Sequence, residues 1–326
     1  MARSKHLIML NPIAGKGRAG ERLPEIEAGL KARGIDYELR LTTGVWHAAE
    51  LARAAGREGF RVVVAAGGDG TVNEAINGLM LARASDEKVP VLGVLSVGRG
   101  NDFSYGADVP GDLDACLDVI AAGQSRPMDV GRVAGGDYPG GRYFGNGVGI
   151  GFDTIVGLEA AKMKRVHGFM AYVLGALKTL IIYPSAPEVR VEAIDENGAT
   201  AVIAQKSHQI SIMNGKRMGG TFFMAPSASN DDGLLDLCMA EDLSRGEMLG
   251  LVARYTKGTQ AEHPRIKTGR YKSYSVAASS GGLVVHADGE TICVNGTSLQ
   301  ISCVPSAFEI LCRPKDSAKD SSKGGK

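Results

Sequence analysis

The chain has 326 residues, 44% hydrophobic and 22% charged, and 37 basic against 36 acidic side chains leave a net charge of +1. That composition excludes a disordered body, and the balanced charge gives no global field for nucleic acid. At roughly 100–200 residues per domain, two domains are expected. Gly is over-used, at 45 residues, without a collagen-like period, which points to tight turns and close backbone approach to a ligand. The five cysteines are odd in number and form no CxxC, and the six histidines form no HExxH, so neither a disulfide framework nor a zinc site is expected. A reducing, cytoplasmic setting fits best. The apolar run at residues 7–10 is too short for a signal peptide. The most apolar window, 169–183, contains Lys178 and falls short of the ~20 apolar residues a membrane span needs. A soluble or peripherally membrane-associated protein is expected.

In chain order, residues 6–10 form an apolar run ending at Asn11-Pro12. Leu23, Ile26 and Leu30 fall at helical spacing before Gly34, and Tyr37, Leu39 and Leu41 alternate like a half-buried strand. A helix over 46–55, a buried strand over 62–66, a helix over 71–82 and a strand over 90–96 follow. This βαβα rhythm predicts a parallel sheet covered by helices, with ligands beyond the carboxyl ends of its strands. After about residue 128 the rhythm changes to short strands, with turn dipeptides Asn197-Gly198, Asp232-Gly233, Asp288-Gly289 and Asn295-Gly296. A long helical stretch over 153–183 interrupts them. The reading is a nucleotide-binding α/β domain over 1–130 with a return segment at 305–314, a β-rich lipid-substrate domain over 131–304, and a disordered tail over 315–326.

The strongest local signal is Gly67-Gly68-Asp69-Gly70-Thr71 with Val72-Asn73, which ends a strand and opens a helix. Such a turn lets backbone N–H groups and the helix dipole meet an anion. It is equally a plain strand-to-helix turn with Asp69 or Thr71 as N-cap. Asp69 cannot bind phosphate directly, so a metal or water network would have to intervene. Asn11-Pro12-Ile13-Ala14-Gly15-Lys16-Gly17 follows the first strand but is no P-loop, because Gly17 stands where a hydroxyl would hold Mg²⁺. Gly98-Arg99-Gly100-Asn101-Asp102-Phe103 follows the fourth strand. In a parallel sheet these three turns converge on one edge. Gly145, Gly147, Gly149 and Gly151 alternate without meeting G-x-G-x-x-G, and no G-x-S-x-G elbow or protein-kinase set occurs.

Together these motifs resemble the bacterial diacylglycerol kinase-like lipid kinases, relatives of the sphingosine kinases and, more distantly, of NAD kinases. The resemblance runs to about residue 313 and rests further on Asn214-Gly215 with Met218-Gly219-Gly220, on Asp231-Asp232-Gly233-Leu234-Leu235-Asp236 and on Asp288-Gly289-Glu290. It implies an N-terminal α/β domain with a parallel sheet and a mainly antiparallel β-sandwich second domain. It implies ATP contacts at Asn11, Pro12, Ile13, Ala14, Gly15, Thr42, Gly67, Gly68, Asp69, Gly70, Thr71, Val72 and Asn73. Arg99 stands where many members have Thr, and a guanidinium there suits phosphate oxygens or a nearby carboxylate. Asp69, Asp102 and Asp129 would hold waters and the ATP-bound Mg²⁺. A structural metal would take the Asp232 carboxylate with carbonyls near Ser229 and Leu234. Glu290 would accept the proton of the lipid hydroxyl, with Asp288 in support. On the residues alone, each Asp-Gly reads as well as an ordinary turn.

The expected activity is therefore an ATP- and Mg²⁺-dependent lipid kinase of phospholipid metabolism, acting on the hydroxyl of diacylglycerol or a related lipid. The alternatives are a kinase for phosphatidylglycerol, a long-chain base or NAD, and a catalytically silent nucleotide sensor. The acceptor and the oligomeric state, a homodimer included, are not specified by the sequence. Lys162, Lys164 and Arg165 beside the apolar stretch suit an anionic lipid surface, or a solvated helix face. Arg265, Lys267, Arg270 and Lys272 read as an exposed or edge strand.

Overall fold

The computed structural model describes residues 5–98, 100–163, 169–182 and 186–313. In chain order the elements are β1 (His6–Leu10), α1 (Arg18–Glu21), α2 (Leu23–Ala32), β2 (Tyr37–Leu41), α3 (His47–Ala55), β3 (Val62–Gly67), α4 (Asp69–Ala84), β4 (Val91–Ser96), α5 (Asp102–Gly106), α6 (Leu113–Ala122) and β5 (Ser125–Gly135). There follow β6 (Tyr138–Phe144), β7 (Gly147–Gly151), α7 (Phe152–Ala161), α8 (Phe169–Ile182), β8 (Glu188–Ile194), β9 (Thr200–Met213), β10 (Leu235–Glu241) and α9 (Arg245–Lys257). The last strands are β11 (Ile266–Tyr271), β12 (Ser273–Ser280), β13 (Leu283–Ala287), β14 (Glu290–Gly296) and β15 (Ser298–Leu311). The chain divides into two compact units, Met1–Met128 with Ser306–Lys326, and Asp129–Pro305.

In the first unit β2, β1, β3 and β4 pair in parallel in that spatial order. β1 and β3 are buried along their whole length, as apolar strands with helices on both faces must be. β15 adds its last residues beside β4, with Ile310 opposite Leu92 in parallel. Arg83 of α4 secures this return segment, donating to the carbonyls of Ser306 at 2.9 Å and Ala307 at 2.5 Å. α3 buries an alanine face, Ala48, Ala49, Ala52 and Ala55. α4 meets it at Gly78, where a methyl group would stand 2.2 Å from the Ala49 carbonyl oxygen. The helices therefore approach at backbone contact.

The second unit is antiparallel. One sheet runs β14-β13-β7-β9-β10-β11 and the other includes β9-β8-β12-β15. β9 belongs to both: Thr200 to Lys206 pair with β8, and Gln209 to Met213 pair with β7 and β10. The core holds Phe144, Val148, Val191, Ile212, Leu237, Tyr274, Val285 and Ile301. Lys267 and Arg270 of the basic series lie on β11, which among the described residues pairs with β10 alone and so forms an edge. Arg265, Lys267 and Arg270 meet Glu247, Glu241 and Asp232, so this edge is not a free positive patch. The helical stretch expected over 153–183 is two helices, α7 and α8. Asp232-Gly233, expected to close a hairpin, instead lies in the loop before β10. Among the described residues all five cysteines are free.

His208 of β9 is buried, and its Nδ1 accepts the Leu243 N–H at 3.0 Å. Burial lowers its pKa, and the Asp242 carboxylate opposes that shift. A histidine whose folded pKa lies below its unfolded value of about 6.5 contributes stability above that pH, which is lost as the pH falls through the folded value. Thermal unfolding at pH 5 and pH 7.5 should show this loss, and His208→Asn should reduce the difference between the two melting temperatures.

Candidate active site

The parallel register places the carboxyl ends of β1, β2, β3 and β4 on one edge of the first unit. Asn11 follows β1 and donates from Nδ2 to the Thr71 hydroxyl at 3.0 Å, while its Oδ1 accepts the Ile13 N–H at 3.2 Å. One side chain thus shapes its own loop and ties it to the first turn of α4. Asp69 accepts the Phe103 N–H at 3.1 Å, which ties α4 to the first turn of α5 that follows β4. The Thr42 N–H donates to Leu10 O at 2.8 Å and brings the end of β2 to the same edge.

Glycine is required where these turns meet. A methyl group on Gly98 would stand 2.4 Å from the Gly68 Cα, and one on Gly15 would stand 2.9 Å from the Val97 carbonyl oxygen. The sequence candidates Asn11, Pro12, Ile13, Ala14, Gly15, Thr42, Gly67, Gly68, Asp69, Gly70, Thr71, Val72 and Asn73 therefore lie along one edge. Arg99 lies outside the described residues. α4 begins at Asp69 with extended Gly68 as N-cap and no side-chain cap bond, so neither Asp69 nor Thr71 caps it. The Thr71 hydroxyl instead takes the Asn11 amide. Gly98→Ala should destabilise the protein by about 1–3 kcal/mol, because two backbones must separate. ATP affinity should fall more than tenfold, read by calorimetric titration beside a melting curve.

Mg²⁺ is bound by one or two carboxylates together with phosphates and waters. The first unit brings two carboxylates together: a methyl group on Gly100 would stand 2.8 Å from Asp69 Oδ2 and 3.9 Å from Asp102 Oδ2. Among the described residues no three acidic, His or Cys side chains form a closed cage. Asp129 belongs to the second unit, where it is buried and its Oδ2 accepts the Gly233 N–H at 2.6 Å. Asp232 accepts the Leu234 N–H at 3.0 Å and pairs with the Arg270 guanidinium. Asp236 stands in the same group; burial pushes its carboxyl up to about 6, Arg270 opposes that and Asp232 adds to it. Its buried Oδ2 has no protein partner. The Arg270 guanidinium lies against the Asp232 carboxylate, beside Leu234, where the resemblance implied a structural metal with Ser229.

The Asp288-Gly289 turn joins β13 to β14, with Asp288 at φ 47° and Gly289 at φ 86°. Left-handed values at both central residues make it a two-residue hairpin turn, for which Asp-Gly is suited. Asp288 has a structural role in this turn. Its carboxylate accepts the N–H groups of Gly145, Asn146 and Gly147 at 2.7, 3.0 and 2.9 Å, which commits its lone pairs to the backbone before β7. Glu290, the first residue of β14, is exposed. The sequence reading missed the anchoring job of Asp288; the glycines at 145 and 147 were the only trace of the loop it holds.

Comparison with known proteins agrees with this fold. Residues 5–133 match the diacylglycerol kinase catalytic domain, and residues 146–312 match the YegS C-terminal NAD kinase beta sandwich-like domain. A diacylglycerol kinase of Mycobacterium tuberculosis (strain CDC 1551 / Oshkosh) is 31% identical over 310 residues, covering 94% of each chain. One from Staphylococcus saprophyticus is 28% identical over 289 residues, covering 88% of this chain and 89% of its own. A solved diacylglycerol kinase structure from Bacillus anthracis str. Sterne superposes with a TM-score of 0.71 at 21% identity, over 96% of this chain and 98% of the other. Yeast NADH kinase, solved with NADH, superposes with a TM-score of 0.50 at 10% identity, over 97% and 85% of the two chains. The N-terminal α/β unit and the antiparallel sandwich are the fold of these kinases, and the chain belongs to the diacylglycerol kinase-like family of lipid kinases.

Proposed function

We propose that the protein transfers the γ-phosphoryl group of ATP, with Mg²⁺, to the hydroxyl of diacylglycerol or a closely related lipid. The observation that carries this reading is the meeting of three glycine turns with Asp69 and Asp102 at one sheet edge. Phosphoryl transfer asks chiefly for positioning and for neutralisation of spreading negative charge. The N-terminus of α4 and the backbone at Gly15, Gly68 and Gly98 supply N–H groups and close approach for phosphates. Mg²⁺ bound with the nucleotide neutralises phosphate charge. Asp69 and Asp102 orient its waters, and Glu290 takes the proton of the acceptor hydroxyl. A nucleotide sensor has no use for that proton acceptor.

Access to a lipid follows from α8. Met170, Leu174, Leu177 and Ile181 recur at helical spacing and are all exposed. Lys162 and Lys178 stand beside them, both paired to Glu159 at 2.6 Å, which leaves net positive charge. No helix among the described residues is long and apolar enough to cross a membrane. The stripe therefore suits shallow insertion at an anionic surface.

The test is ATP turnover by purified protein with micelles of diacylglycerol, phosphatidylglycerol, a long-chain base, or no lipid. Turnover with diacylglycerol and with none of the other lipids is the expected result; ATP turnover that does not depend on lipid would overturn the reading. Binding to vesicles containing phosphatidylglycerol should weaken with salt, since surface charge is screened over about 8–10 Å. Ile181→Ser should lower it about tenfold, the worth of one apolar side chain returned to water.

A further inference from the structure

α3 starts without a cap from its own chain: Trp46, its N-cap, sits at φ 71° and makes no side-chain cap bond. A left-handed residue other than glycine persists where its surroundings hold it. Two side chains shape this turn. His47, the first residue of α3, folds its ring back on the loop after β2, and its Nδ1 accepts the Thr43 N–H at 3.0 Å. An amide N–H can only donate, so Nδ1 carries no proton and the neutral ring holds its proton on Nε2. The Thr43 hydroxyl lies 3.0 Å from the same nitrogen, as a second donor. Glu74 of α4 accepts the Ala48 N–H at 3.1 Å, where α3 lacks a cap of its own. Glu74 stands one turn beyond Thr71. The first two turns of α4 therefore index three neighbours: Asn11 from the loop after β1 reaches Thr71, Phe103 of α5 reaches Asp69, and Ala48 of α3 reaches Glu74.

We infer that His47 and Glu74 are positioning residues for the nucleotide edge: Glu74 docks the start of α3 on α4, and His47 fixes Thr43 and with it the place of Thr42. Both act through the loop rather than on the nucleotide. Val45 near the tip of that loop is 93% exposed, so packing does not order the tip. The backbone bond that closes the turn, from the His47 N–H to Gly44 O, is long at 3.4 Å. Order in the loop is thus left largely to the two side chains. The inference rests on this edge as the ATP site. A loop that keeps its bound arrangement about a tenth of the time weakens ATP about tenfold.

Paired variants test it. His47→Asn keeps an acceptor oxygen where Nδ1 stood, and Glu74→Gln keeps one where the carboxylate stood; His47→Leu and Glu74→Ala keep none. Calorimetric titration should show ATP bound about tenfold more weakly by the Leu and Ala variants, and within about threefold of the parent by the Asn and Gln variants. In steady-state turnover the loss should fall on the ATP KM, with kcat and the KM for lipid within about twofold. Hydrogen exchange reads the two bonds separately: the Thr43 amide should quicken about tenfold in His47→Leu, and the Ala48 amide in Glu74→Ala, with both protected in the Asn and Gln variants. Parental ATP affinity in the Leu and Ala variants would overturn the inference. So would Asn and Gln variants as impaired as Leu and Ala, or ATP and lipid KM values that rise together, the mark of a general loss of structure. If His47→Leu does not fold, His47→Gln, whose polar group falls at Nε2, takes its place; if Glu74→Ala does not, Glu74→Asp, whose carboxylate falls short of Ala48, does. If Gly98→Ala leaves ATP affinity unchanged, the nucleotide reading of this edge fails separately, and the exchange rates still decide whether His47 and Glu74 hold the loop.

Discussion

Glu290→Gln is expected to lower kcat on the lipid acceptor by about 10²–10⁴, the usual contribution of a general base. Glutamine keeps the size and hydrogen-bonding reach of the side chain and removes only its capacity to take a proton. The position is exposed at the start of β14, so the substitution costs little stability. The nucleotide elements, Asn11 with Thr71 and Asp69 with Phe103, belong to the other unit and are untouched. The ATP KM should therefore stay within about twofold while kcat collapses, the signature of an interaction made only on the way to the transition state. Steady-state kinetics over both substrates reads this split. A variant with the parental kcat would make Glu290 a turn residue.

Asp288→Ala should act on stability first. It removes the acceptor of three backbone N–H groups, Gly145, Asn146 and Gly147. Each bond is to a carboxylate, and the site is partly buried, so water only partly replaces it. The expected cost is about 3 kcal/mol, which lowers the melting temperature of a domain of this size by roughly 6–12 °C. Asp288→Asn retains one acceptor oxygen and tolerates the left-handed φ of 47°, so it should lie between alanine and the parent. The loop before β7 should lose hydrogen-exchange protection together with the hairpin, because the carboxylate joins them. A parental melting temperature with a 10²-fold loss of kcat would instead return Asp288 to the chemistry.

The sequence by itself determined the fold class and the edge on which the three glycine turns converge. The βαβα rhythm requires a parallel sheet, and a parallel sheet brings every strand-end turn to one edge; the turns of Gly15, Gly68 and Gly100 could be assembled before any coordinate was known. The Asp-Gly dipeptide announced the hairpin because few other pairs accept two successive left-handed residues. The tertiary structure alone decided which partner each polar side chain has. Asp232 and Arg270 meet because β11 pairs with β10, a register no local pattern encodes. Asp288 meets the amides of Gly145, Asn146 and Gly147 because β13 pairs with β7. A carboxylate spends its lone pairs on whatever the chain folds against it, and sequence spacing carries no record of contacts made across so many residues.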